Sequence, residues 1–83
     1  MSESYSLYPF QVFRVVANAG SVTRAANELF ISQPAVSAHL KAVEQRFGES
    51  LFERTPRGVN LTTVGREVLE QVNRLFALYE ELP

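Results

Sequence analysis

A chain of 83 residues makes one small domain, which buries only about 60 to 65 % of the surface its unfolded form exposes, so a catalytic cleft between two domains is excluded. Apolar residues form 46 % of the chain and charged residues 20 %, the profile of a folded globular domain and not of a disordered one. Eight Lys and Arg face nine acidic residues for a formal net charge of -1, which argues against a generic polyanion binder and requires any nucleic-acid reading to rest on local charge.

The absence of cysteine removes both a disulfide framework and a thiolate metal site, so a reducing interior fits and oligomerisation is the remaining means of stabilising so small a core. Every acid is Glu and none is Asp, a bias toward helix formers that also removes the commonest short-armed carboxylate of metal and catalytic sites. No run of eighteen apolar residues is present, and Met1 to Ser6 lack the regions of a signal peptide, so a cytoplasmic location and no membrane partner are expected.

In chain order, a first helix is expected after Ser6 as its cap, with Pro9 in the first turn, Phe10, Phe13, Val16 and Ala17 on one apolar face, and Gly20 at its end. A very short second helix runs from Ser21 to about Leu29 with Val22, Ala25, Ala26 and Leu29 inward; the adjacent alanines permit a close helix approach. Phe30 to Ser32 is a turn, and Ser32 caps a third helix with Pro34 in its first turn. Val36, Leu40, Val43 and Phe47 then repeat four, three and four apart until Gly48, while the opposite face carries Pro34, Ser37, Ala38, Lys41 and Gln45 without a single acid. After Gly48 the period changes to that of a hairpin, and Thr55-Pro56-Arg57-Gly58 suits a type I turn with Arg57 at the tip and Arg54 on its flank. Thr62 or Thr63 caps a last helix running to Leu82, along which Val68, Val72, Leu75, Tyr79 and Leu82 form a coiled-coil seam of about two heptads, so a partner helix is expected.

Catalysis has little to work with. One histidine, no cysteine and no aspartate cannot assemble a nucleophile, a base and a group to orient it, and the four isolated glycines form no phosphate loop. Neither an enzyme, a metal nor a cofactor is expected. What remains is a layout: a short helix, a three-residue turn, a helix with a small, polar, mildly basic outer face, and a hairpin tipped with arginines. This is the arrangement of a winged helix-turn-helix. Gln33 can pair bidentately with adenine, Ser37 can bond base edges or a phosphate, Lys41 can reach guanine or phosphate, and Arg54 and Arg57 suit a narrow minor groove or phosphates. The rival is a helical adaptor that pairs only through its apolar last helix.

The stretch GSVTRAANELFISQPAVSAHLKAVEQRFGESLFERTPRGVNLT, from Gly20 to Thr62, strongly resembles the N-terminal DNA-binding domain of bacterial LysR-type transcriptional regulators, and the resemblance extends from Leu7 to about Leu82. It is carried by Ala25 and Ala26, the run from Ser32 to Ser37, Glu44 after Val43, Leu51 to Arg54, Gly58, and Leu61 with Thr62. The resemblance implies a mainly α fold, with a three-helix core and a two-stranded β wing over residues 1–61 and a linker or dimerisation helix over 62–83. It further implies sequence-specific binding of double-stranded DNA at a pseudo-palindromic operator, and transcriptional control. It places Ser32, Gln33, Pro34, Ser37, Ala38 and His39 at the major groove, Thr23 near a phosphate, and Arg54 and Arg57 beside the minor groove. Ala38 departs from the family pattern, in which arginine is common, so a guanine or phosphate contact is either missing there or replaced by an apolar touch on a thymine methyl. The resemblance also implies a homodimer, allows a tetrameric full-length protein, and implies an effector bound only by a further domain that these residues do not resemble.

Overall fold

The computed structural model describes residues 6–83. Their order is α1 (Tyr8–Ala19), α2 (Val22–Leu29), α3 (Gln33–Phe47), β1 (Phe52–Thr55), β2 (Gly58–Leu61) and α4 (Thr63–Glu80), a mainly helical chain with one antiparallel hairpin. No helix among the described residues is long and apolar enough to cross a membrane.

Helix α1 begins one residue later than its serine implies. Leu7 occupies the cap position with near-helical angles and no side-chain cap, its carbonyl accepting from the amides of Phe10 and Gln11, while Ser6 Oγ accepts from the Tyr8 amide at 3.1 Å. Its buried residues are Val12, Phe13 and Val16; Phe10 and Ala17 are only half-buried. The covered stripe is wider than the periodicity indicates because α2, α3 and α4 all pack on this one helix.

Ser32 caps α3 as the sequence predicts, its Oγ accepting from the Ala35 amide at 3.1 Å, and Ser21, read as the first residue of α2, stands one residue before that helix and caps it in the same way, its Oγ accepting from the Arg24 amide at 3.1 Å. Ala25 and Ala26 are buried at 0 % and 3 % exposure, the close approach that their small side chains allow. Between the helices Phe30 ends α2 in the left-handed conformation at φ 59° with its side chain 93 % exposed. A β-carbon in that region costs about 1 kcal/mol or more, and the ring packs on no described residue that would offset it. Phe30→Gly is therefore expected to raise unfolding stability by about 1 kcal/mol, read as a higher urea midpoint at unchanged slope.

On α3, Val36, Leu40 and Val43 are buried, but Phe47, expected as the fourth member of the stripe, is 38 % exposed. It lies at the helix end, where the core gives way to a hollow shared with Leu7, Phe10 and Leu75. In the hairpin, Phe52 pairs with Leu61 and Thr55 with Gly58, leaving Pro56 and Arg57 as the turn. Proline's fixed negative φ excludes the mirror-image turns usual in two-residue hairpins.

The wing is held at its root. Leu51, fully buried, donates its amide to Glu44 Oε2 at 2.9 Å and accepts at its carbonyl from the Thr62 amide at 3.0 Å. Thr62 Oγ1 donates to the Ser50 carbonyl at 2.8 Å and accepts from the Gly65 amide at 2.9 Å, so one hydroxyl both caps α4 and ties it to the strand entering the wing. Farther out, the Val59 amide donates to the Gly20 carbonyl at 3.1 Å. Gly58, at φ +146°, lies so close to Gly20 that an added Cβ would collide with that carbonyl oxygen, so the wing rests on the α1–α2 turn.

Helix α4 departs most from the sequence reading. It ends at Glu80, so Leu82 lies in the turn that follows and not on a helical seam. Val68 and Val72, expected on a dimer seam, are 4 % and 3 % exposed and belong to the chain's own core together with Phe76 at 8 %. The reason is core area: α4 packs on α1 and β2, and the spacing of Gly65, Val68, Val72 and Phe76 turns one narrow stripe onto the core of a domain with little else to close it. Arg14 on α1 lies 4.4 Å above the Phe76 ring, a cation–π contact that helps fix the crossing. Leu75, Leu78, Tyr79 and Leu82 are 37 to 66 % exposed.

Candidate nucleic-acid interface

Three chain segments distant in sequence meet in one groove of about 630 Å³. The first turn of α2 supplies Thr23, the first turns of α3 supply Gln33, Pro34 and Ser37, and the wing supplies Arg54 and Arg57. All six are among the residues expected at DNA. Their convergence follows from local chemistry. The Ser21 and Ser32 caps set where each helix starts, so Thr23 and Gln33 fall in first turns whose free amides point outward. The Gly20–Val59 bond then brings the wing alongside them.

Strand alternation decides the sign of the charge. Arg54 and Phe52 are two residues apart and so share a face, and both line a second hollow of about 310 Å³ with Ser37 and Lys41. Glu53, between them, is turned to the other face. The first groove accordingly carries two arginines and no acid in its lining. In the second hollow the only carboxylate is Glu44, whose Oε2 is engaged by the Leu51 amide.

Of the remaining predicted residues, Lys41 joins the interface through this second hollow. Ala38 is exposed on the same outer side of α3, outside both. Ser32 is exposed, but its oxygen already serves as the cap of α3, leaving only its hydroxyl hydrogen to donate. His39 is half-buried and packs edge-on against Tyr8, ring centroids 5.0 Å apart at 83°. The sequence reading missed Thr55, Pro56 and Ser50, which line the two hollows. Thr55 Oγ1 donates to the Gly58 carbonyl and accepts from the Arg57 amide, each at 3.3 Å. The threonine of Thr-Pro-Arg-Gly thus braces the tip that carries the arginine, beside the proline and glycine from which the turn was read. No group of three or more His, Asp or Glu positioned to hold a metal occurs among the described residues.

This geometry can be set beside known proteins. The transcriptional activator CmpR of Synechocystis is 36 % identical over 77 residues, 93 % of this chain and 25 % of the relative. The RuBisCO operon transcriptional regulator of Allochromatium vinosum is 52 % identical over 63 residues, 76 % of this chain and 21 % of the relative. The chain thus spans about a quarter of the length of these relatives. Among solved structures, the CbnR_DBD-DNA complex superimposes with a TM-score of 0.86 at 34 % identity, covering 92 % of this chain and 87 % of that one. The BenM_DBD/catB site 1 DNA complex gives 0.86 at 28 %, covering 93 % and 86 %. The family described as bacterial regulatory helix-turn-helix protein, lysR family, matches residues 7–66, and with four helices and a two-stranded wing in the same arrangement, the chain belongs to the LysR family of transcriptional regulators.

Proposed function

We propose that this chain is the DNA-reading part of a dimeric transcriptional regulator that binds a pseudo-palindromic operator in double-stranded DNA. The observation that carries the reading is the acid-free groove between the first turns of α3 and the arginine wing. A helix enters the major groove only if its leading face is narrow and offers hydrogen-bonding groups in place of carboxylates, which Gln33, Pro34 and Ser37 satisfy. Arg54 and Arg57 then stand where the adjoining backbone or minor groove passes. Pairing uses the apolar residues that α4 leaves uncovered, Leu75, Leu78 and Tyr79, with Leu82 beyond the helix end. Residues 62–83 thereby serve two ends, the first turns closing the core and the last ones joining the copies.

Four of the nine glutamates lie from Thr63 onward, away from the groove, so the net charge of -1 does not describe the reading face. Few phosphates are neutralised per copy, and affinity rests on both copies binding together. Two-fold symmetry sets the reading helices about 34 Å apart or a multiple of it. Small-molecule control, a tetrameric full-length assembly and a cytoplasmic site of action belong to this proposal through domains beyond these residues.

Selection of bound oligonucleotides from a random duplex pool tests it. The expected product is an interrupted dyad with half-sites about one helical turn or a multiple apart. Recovery of isolated half-sites alone overturns the dimer, and absence of competable enrichment overturns DNA reading in favour of an adaptor that pairs only with protein.

A further inference from the structure

A helix is about 10 to 12 Å across with its side chains, and the major groove about 12 Å wide, so a helix lying in it is bordered by both sugar–phosphate backbones. The wing accounts for one border of α3. The other flank of the helix carries Ala35, His39, Ala42 and Arg46, spaced four, three and four along one stripe. No acid stands on it. The first turn of α1 packs along this flank: Tyr8 meets His39 edge-on at 5.0 Å, Pro9 and Phe10 border a hollow of about 170 Å³ with Ala42 and Arg46, and Arg46 lies 5.9 Å from the Phe10 ring. Tyr8 itself is 37 % exposed, with no hydrogen bond from its hydroxyl to another described residue explaining why a phenol stands at the first position of α1.

We propose that Tyr8, seated on His39, is a second backbone contact, its hydroxyl donating to a phosphate on the side of α3 opposite the wing. The inference rests on α3 being the reading helix. It makes the interface two-sided: arginines on one border, and on the other a phenol held by an imidazole, with small residues at Ala35 and Ala42 letting the backbone approach. Phosphate contacts fix register on the duplex without reading sequence, so Tyr8 acts on all sequences alike, unlike Gln33.

The position allows a test in which fold and binding respond with opposite signs. A carboxylate in the first turn of a helix favours the helix dipole, so Tyr8→Glu keeps α1 intact while repelling a phosphate; Tyr8→Lys does the reverse on both counts. Binding of the full chain is measured by fluorescence anisotropy on a selected duplex and on a random duplex of equal length across a salt series, with melting by circular dichroism as the fold control. Tyr8→Glu is expected to weaken both duplexes about tenfold, and Tyr8→Lys to tighten both and steepen the logarithmic salt slope by about 0.9 per copy. Tyr8→Phe, which removes only the hydroxyl, is expected to lose about three- to tenfold on both. Wild-type-like affinity in Tyr8→Glu and Tyr8→Lys, alongside weakened binding in Arg57→Ala, overturns the second contact and leaves the interface standing. An Arg57→Ala variant that binds as well as wild type overturns the interface and the inference with it. An effect of Tyr8→Phe confined to the selected duplex overturns the assignment to phosphate.

Discussion

Gly65→Ala is expected to destabilise the domain by about 3 kcal/mol, although alanine is the better helix former by about 1 kcal/mol. The sign is decided by space. Gly65 lies buried in the first turn of α4, and a β-carbon there would collide with the carbonyl oxygen of Leu51 while crowding the Leu61 side chain. The obstacle is backbone and cannot swing aside. That same oxygen accepts the Thr62 amide at 3.0 Å, and the Gly65 amide donates to Thr62 Oγ1 at 2.9 Å. Moving the helix away therefore loosens its cap and the root of the wing together. In a domain of this size 1 kcal/mol shifts the melting temperature by about 4 to 8 °C, so a fall of more than about 10 °C is the expected calorimetric result. A variant that melts at or above the wild type would show that α4 does not pack as closely on Leu51 as described.

The largest functional effect is expected at Gln33. It stands in the first turn of α3, exposed, in the groove with Arg54 and Arg57, and its amide carries a donor and an acceptor on separate atoms, the arrangement that pairs bidentately with adenine. Gln33→Ala is expected to cost about 1 to 3 kcal/mol of discrimination, about 5- to 150-fold between selected and random duplex, with little change on random DNA. Arg57→Ala should do the converse, weakening all sequences evenly and lowering the salt slope by about 0.9. Competition binding at two salt concentrations separates the two patterns. Equal loss on both duplexes in Gln33→Ala would remove α3 from its role as the reading element.

Much of this arrangement was legible because local chemistry dictates it. Ser32 and Thr62 accept amides three residues ahead, a relation that residue type and position disclose, and Gly20 and Gly48 end their helices in left-handed geometry. Alternation after Gly48 disclosed the hairpin, and with it the arginines of the groove. Long-range contacts left no such trace. Glu44 and Leu51 are seven residues apart, Thr62 and Ser50 twelve, and no periodicity joins them. Gly65 looked like one of four isolated glycines until Leu51 was seen against it. The heptad reading of α4 was misleading for a related reason: a stripe records that a helix has an apolar side, not whether the cover comes from its own domain or another copy. Val68 and Val72 are covered by their own domain, while Leu75 and Tyr79 stay exposed.

That division of α4 has a consequence at larger scale. The helix is inside the core at one end and projects from it at the other, with Thr62 joining it to the wing without any spacer. A reading head built into its own shaft has no swivel. In the proposed dimer, two such heads joined shaft to shaft would keep a set distance, and half-sites a little too near or too far would be matched at the expense of the duplex, which would have to curve or untwist toward the protein. Operators rich in pliable pyrimidine–purine steps between the half-sites would then be favoured at base pairs that no side chain touches.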